Sequence, residues 1–400
     1  MIRRQFLAAL AASTAVLAPA VLHAATSALG QALVAAKSGD WSRAEALARR
    51  DGPLGADLIQ WQRLRAGNGA FAEYFAFASR RADWPGMDLL LYLPNGANGP
   101  VPVFFGMNFD GNHTVHADPA ITLPRGWVRN RDEAGATDHR ASEAGRGVVA
   151  TRWPIEAILA RGYGLATVFY GDVDPDFDDG FVNGVHRALG HDGTGDAWGA
   201  VAAWAWGYSR ALDYLESLGT IDANRIIAIG HSRLGKTALW AAAEDERFAM
   251  SISNNSGCAG AAISRRRFGE TIFAINERFP QWFCTNYHAY SDNEAALPFD
   301  QHELLTLIAP RPVYVASAED DRWADPRGEF LACVYASPAY ELLGVEGIGT
   351  EGESMPAVNA PEHTGRIGYH LRTGGHDLTG YDWERYMDFA DQHLGSETDE

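Results

Sequence analysis

The chain is poor in cysteine, in basic side chains relative to acidic ones, and in long apolar runs, and each shortage excludes something. Three cysteines, Cys258, Cys284 and Cys333, allow at most one disulfide and leave one thiol over, which rules out a disulfide-stapled scaffold. They read as small buried hydrophobes. Lys and Arg number 33 against 51 Asp and Glu, giving a net charge of −18. Such a surface repels phosphates, so neither nucleic acid nor an anionic membrane is an expected partner, whereas a neutral polysaccharide is not excluded. Past the first two dozen residues no stretch approaches the roughly 18 consecutive apolar residues of a membrane span.

What is present is an ordinary globular composition, 46% hydrophobic and 21% charged over 400 residues, enough for one large α/β domain and a smaller unit. Residues 1–25 read as an export signal: Arg3 and Arg4 precede Gln5-Phe6-Leu7, an Ala/Leu/Val run continues to about Leu22, and Ala24 and Ala25 follow. The paired arginine points to the twin-arginine route, with a general secretory signal as the alternative. Either route predicts an exported protein, periplasmic or extracellular.

Residues 26–86 have a different texture. Leu29, Ala32, Leu33 and Ala36 step like one helix face, and Trp41, Ala44, Leu47 and Ala48 begin another. A third helical stripe is read through Leu58, Ile59, Trp61 and Leu64, and a fourth through Phe71, Tyr74 and Phe75. The wording AAKSGDWSRAEALARRDGPLGADLIQWQRLRAG resembles the helical-repeat arm of soluble lytic transglycosylases. No counterpart of their catalytic domain follows, so a spacer or cap is expected.

From residue 87 to 400 strands and helices alternate. Strands are expected at 87–93, 101–107, 164–170, 225–230, 250–254 and 312–318, and helices at 198–218, 235–243 and 381–394. Apolar strands separated by helices predict a mainly parallel sheet covered on both faces, an α/β-hydrolase three-layer sandwich behind a short N-terminal helical segment.

The central motif is Gly230-His231-Ser232-Arg233-Leu234-Gly235-Lys236, set between a predicted strand and a predicted helix. A serine there rides a sharp turn with its hydroxyl at the carboxyl edge of the sheet, and the N–H of Arg233 faces a developing oxyanion. The usual elbow has its second glycine two residues after the serine; here Leu234 stands at that place and Gly235 follows it. Chain order then requires an acid and a histidine downstream. His376, in the loop Gly374-Gly375-His376-Asp377 before the last helix, is the preferred base over His288, His302, His363 and His370. Glu319-Asp320-Asp321 follows a strand; Asp321 is preferred as the acid, though the pattern cannot separate it from Asp320. Asp172, Asp174, Asp176 and Asp178 alternate like a calcium loop, but Phe177 and Asn183 stand where its glycine and glutamate belong, so no metal is expected.

The blocks LLLYLPNGANGPVPVFFGMNFDGNHT, YGDVDPDFDDGF, GHSRLGKTALWAAAEDERFA, SNNSGCAGAAISRRRFGE and DDRWADPRGEF together resemble the bacterial branch of carbohydrate esterase family 15, the glucuronoyl esterases, over about 88–395. The resemblance implies an α/β-hydrolase that needs no cofactor and cleaves esters joining (4-O-methyl) glucuronic acid of xylan to lignin alcohols. It implies Ser232 as nucleophile, His376 as base and Arg233 as oxyanion support. It also implies Lys236 and Glu270 on the sugar hydroxyls and Trp323 lining the uronate pocket. Many fungal members carry a glutamate acid where this chain has Asn255, which leaves Asp321 to serve. Family members also have an early strand before the LLLYLP block; here the arm runs straight into that block at Trp84-Pro85-Gly86, which reads as a natural fusion or as a hydrolase lacking its first strand. The expected partner is glucuronoxylan or a lignin–carbohydrate ester, and a monomer is expected. The competing readings are an acetyl-xylan or other carboxylic esterase with the same triad, and a cell-wall binding protein with a degenerate hydrolase domain.

Overall fold

The computed structural model describes residues 59–65, 72–79, 86–350 and 352–395. Its centre is a nine-stranded sheet of β1 (Ile59–Arg65), β2 (Ala72–Ser79), β3 (Asp88–Tyr92), β4 (Val101–Asn108), β5 (Gly164–Phe169), β6 (Ile221–His231), β7 (Met250–Asn254), β8 (Val313–Ala318) and β9 (Ile367–Arg372). In space the order is β1-β2-β3-β5-β4-β6-β7-β8-β9. The first four pair antiparallel, and every pairing from β5 onward is parallel.

Strand residues alternate between two cores because side chains of a strand point to opposite faces. Leu89, Leu91, Val103 and Phe105 join one core, with helices α1 (Ala200–Leu215), α2 (Arg233–Glu244) and α3 (Pro326–Leu342). Leu90, Tyr92, Phe104, Ile227 and Ile229 join the other, which α4 (Gly380–Leu394) closes with Trp383, Tyr386 and Phe389. Both faces are therefore covered, and β5, β7, β8 and β9 are buried at every position. The three-layer α/β-hydrolase architecture is borne out. All three cysteines are free; Cys258 and Cys333 are buried and Cys284 half-buried.

One expectation is corrected. The helical readings through 58–64 and 71–75 fall on β1 and β2, which pair with each other and, through β2, with β3. Ile59-Gln60-Trp61-Gln62 alternates apolar and polar, a period of two that a three-and-four helical stripe over so few residues also fits. Strands are thus present ahead of the LLLYLP block, and the sheet runs through the boundary expected at 86. The arm resemblance has no counterpart in these strands. The stripes over 29–48, and the export signal, lie outside the described residues.

Candidate active site

Four neighbouring parallel strands end at one edge of the sheet, and each is followed by a residue of the candidate site. Ser232 follows β6, Asn255 follows β7, Asp321 follows β8, and His376 lies in the loop after β9. In open α/β sheets ligands bind in the crevice outside the carboxyl ends of the strands.

Ser232 sits between the last residue of β6 and the first of α2 with φ 57 and ψ −129. Side chains rarely adopt this conformation, at a cost of about 1–3 kcal/mol, and such strain concentrates at functional sites. Its backbone N–H is tied to Asn254 O at 2.8 Å, which locks the turn against β7. Gly230 makes the turn possible: a Cβ there would lie 1.9 Å from Leu234 O. At Gly235 an added Cβ would meet Gly230 O, Ser253 Oγ and Ser256 Cβ, each at 3.1 Å. The unusual spacing is thereby explained, since Leu234 turns inward to full burial and Gly235 faces the turn.

His376 Nδ1 hydrogen-bonds Asp321 Oδ2 at 2.6 Å, and the same oxygen accepts from Asn255 Nδ2 at 2.8 Å. Burial pushes the Asp321 carboxyl up, but the bonds from His376 and Asn255 outweigh it and hold it below the usual carboxylate range. Asp320 is exposed and joins only through its backbone N–H to Gly374 O at 3.0 Å. The His376 loop is pinned by Arg372, which donates to Gly375 O and Asp377 O while its Nε engages the buried Asp382. His231 packs against the His376 ring at 4.5 Å between centroids. Burial, and then the His376 charge, hold His231 far below its ordinary value, so it stays neutral. The competing His370 is buried within β9 and bound to Asp382 at 2.9 Å, and His288 bonds Pro280 O at 3.2 Å.

Arg233 opens α2, so its N–H has no acceptor within the helix. Its guanidinium lies over the Trp282 ring at 4.6 Å and is hydrogen-bonded to Asp176 Oδ2. Sequence reasoning missed Asp176 as a site residue, treating it as one of four alternating acids. It is buried and accepts also from Arg129, Tyr170, Gln281 and Trp282. Burial would raise its carboxyl, yet Arg233, the Trp282 N–H and Arg129 hold it low. Among the described residues no cluster of three His, Cys, Asp or Glu could hold a metal ion.

Lys236, one turn beyond Ser232, is buried, and Nζ donates to Ser256 O and Cys258 O at 2.5 Å each and to Glu270 Oε2 at 3.2 Å. The other oxygen, Glu270 Oε1, accepts from Trp323 Nε1 at 3.2 Å, and the Glu270 N–H from the backbone bonds Trp323 O at 2.8 Å. Trp323 is 50% exposed beside Glu270. Gly269 permits this approach, having φ +66 and no Cβ to strike Trp323 O at 2.4 Å. Six of the seven residues singled out in the sequence thus carry defined side-chain contacts, and Ser232 is fixed through its backbone, in two groups joined by the first turn of α2.

The model of the family described as glucuronyl esterase, fungi, matches residues 192–344. Carbohydrate esterase MZ0003, from an unknown prokaryotic organism, is 50% identical over 321 residues, 78% of this chain and 73% of that one. The chain belongs to carbohydrate esterase family 15, the glucuronoyl esterases. Among solved structures, the glucuronoyl esterase from Solibacter usitatus superposes with a TM-score of 0.77 at 48% identity, covering 84% of this chain and 86% of that one. A promiscuous CE15 esterase from a marine bacterial metagenome gives 0.76 at 45%, covering 86% and 91%. This glucuronoyl esterase family member is therefore a carboxylic ester hydrolase.

In this esterase the loop carrying Asn255 rests on a buried acid. Glu329 is fully buried on α3; Oε1 accepts from the N–H groups of Ser256 at 2.8 Å and Gly257 at 2.9 Å, and Oε2 from the Ser317 hydroxyl at 2.6 Å. Burial pushes its carboxyl up to about 7, against the pull of the Ser317 and Gly257 bonds. A folded-state pKa above the ordinary 4.5 means the folded state holds the proton more tightly. The resulting stabilisation is complete below that ordinary value and lost as pH rises through about 7, a swing of about 3 kcal/mol. Glu329→Gln does not titrate and keeps its oxygen on the two N–H groups, while its NH2 donates to Ser317 Oγ, reversing that bond. The unfolding free energy of the wild type, relative to this variant, is expected to fall by about 3 kcal/mol between pH 4.5 and pH 8 in urea titrations. A difference that stays flat with pH would show that Glu329 is not titrating in that window.

Proposed function

We propose that this esterase hydrolyses esters of (4-O-methyl) glucuronic acid, as in lignin–glucuronoxylan cross-links, through an acyl-enzyme on Ser232. The Ser232 hydroxyl attacks the uronate ester carbonyl while His376 takes its proton, with Asp321 holding the imidazole orientation and stabilising the imidazolium. The Arg233 N–H and guanidinium stabilise the oxyanion. His376 then protonates the departing alcohol, and water, activated by the same histidine, releases glucuronate and restores the serine. Glu270 keeps free lone pairs for the sugar hydroxyls, whereas the three N–H donors of Lys236 are all spent within the protein, so Lys236 acts by holding Glu270 in place. The exposed Trp323 suits a pyranose ring.

The observation that carries this reading is the strained Ser232 at the start of α2, sharing one sheet edge with the His376–Asp321 pair and with the Lys236–Glu270–Trp323 chain of bonds. An exported, monomeric enzyme would meet such a polymeric ester outside the cytoplasm, in keeping with the acidic surface and with no helix among the described residues long and apolar enough to cross a membrane. The test compares benzyl glucuronate with an acetylated xylan at equal enzyme concentration. The proposal expects a higher kcat/KM on the glucuronate ester. A preference for the acetyl ester would overturn it in favour of an acetyl-ester hydrolase.

A further inference from the structure

Asp176 is more heavily bonded than a structural acid on a surface loop has reason to be. Its Oδ2 accepts from Arg129 at 3.0 Å, from the Tyr170 hydroxyl at 2.9 Å and from Arg233, and its Oδ1 from Gln281 at 3.1 Å and Trp282 at 2.7 Å. A carboxylate saturated by donors from four separate segments cannot swing. The donors are themselves anchored: the carbonyls of Gln281 and Trp282 accept from the Ala200 and Val201 N–H groups at the start of α1. Phe279 stacks on Trp282 at 3.8 Å, and this pair forms the wall on which the Arg233 guanidinium lies, at 5.2 and 4.6 Å from the two rings. Arg233 Nε is buried with no protein acceptor, so Asp176 is the group that fixes the guanidinium's rotation.

We propose that Asp176 is the positioning residue of the oxyanion arginine, holding the Arg233 guanidinium in the orientation that meets the negative charge formed on the carbonyl oxygen. The inference rests on the reaction proposed above and deepens it. A carboxylate beside an oxyanion site would ordinarily oppose the developing charge. Here two guanidiniums share the one carboxylate, so the cluster of Arg129, Arg233 and Asp176 keeps a net positive charge. Preorganisation of this kind acts on the transition state and not on ground-state binding, because the charge appears only as the carbonyl is attacked.

A kinetic double-mutant cycle tests it, run on the full chain with benzyl glucuronate and, in parallel, with p-nitrophenyl acetate. Asp176→Asn is expected to lower kcat by about 10²-fold with KM within about threefold. On an Arg233→Ala background the same change is expected to cost less than about threefold, because the group it positions is gone. An undiminished loss on that background, or wild-type kcat in Asp176→Asn, would overturn the assignment. If Asp176→Asn fails to fold by circular dichroism, Tyr170→Phe takes its place, removing one donor from the shared oxygen. Its expected loss of about fivefold must likewise vanish without Arg233, and a loss that persists would overturn the assignment equally. Should the wild type cleave the acetate and not the glucuronate, the proposed substrate falls while the acetate cycle still decides the role of Asp176.

Discussion

Asp321→Ala is expected to lower kcat for ester hydrolysis by about 10⁴-fold, whereas Asp320→Ala stays within about twofold of wild type. The two acids are adjacent in sequence, yet the strand end turns them apart. Asp321 is buried, and its Oδ2 holds both His376 Nδ1 at 2.6 Å and Asn255 Nδ2 at 2.8 Å. Asp320 points to solvent and contributes a backbone bond that any residue supplies. Removing the Asp321 carboxylate frees the imidazole to rotate and leaves its charged form unsupported, while Asn255 loses its acceptor and, being neutral, cannot balance the imidazolium charge. Steady-state kinetics on either ester class reads the result. A large loss in Asp320→Ala with a small one in Asp321→Ala would reverse the assignment.

Gly230→Ala is expected to abolish activity and to destabilise the fold by more than about 4 kcal/mol, because the new methyl has nowhere to go. Its Cβ would stand 1.9 Å from Leu234 O, 2.2 Å from Leu234 C and 2.7 Å from Gly235 N, all backbone atoms of the first turn of α2. Relief requires the helix to move, and with it Arg233 and Lys236. Gly235→Ala is the contrast. Its three contacts at 3.1 Å call for adjustments of a few tenths of an ångström, partly by the Ser253 and Ser256 side chains. A cost of about 1–3 kcal/mol with measurable activity is expected there. Thermal melts and kcat on the pair check both; equal behaviour of the two variants would contradict this reading of the turn.

Much of the candidate site was legible because its residues are announced locally. Ser232 lies in a glycine-flanked turn between a short apolar strand and a helix, and His376 lies in a glycine-rich loop before the closing helix. The choice between Asp320 and Asp321 was not legible, since it depends on which way a loop turns after β8 and on a donor, Asn255, brought from another strand. Asp176 was hidden for the same reason. Its partners come from residues 129, 170, 233, 281 and 282, and along the chain it is one of four alternating acids. Strand β9 was not expected because IGYHLR carries His370 and Arg372 into a fully buried strand; both are satisfied by Asp382 on α4, a partner no window of sequence displays. Helix α3 escaped notice with Pro338 in its interior. The misreading of β1 and β2 as helices had a different cause, two periodicities that a seven-residue segment cannot tell apart.

The most direct test of the central assignment is hydrolysis of benzyl glucuronate by the wild-type protein beside Ser232→Ala, with both shown to be folded. The predicted result is turnover by the wild type and a loss of about 10⁴-fold or more in the variant, since the proposed mechanism has the serine oxygen take the acyl group. Substantial turnover by folded Ser232→Ala, or none by folded wild type, would contradict it.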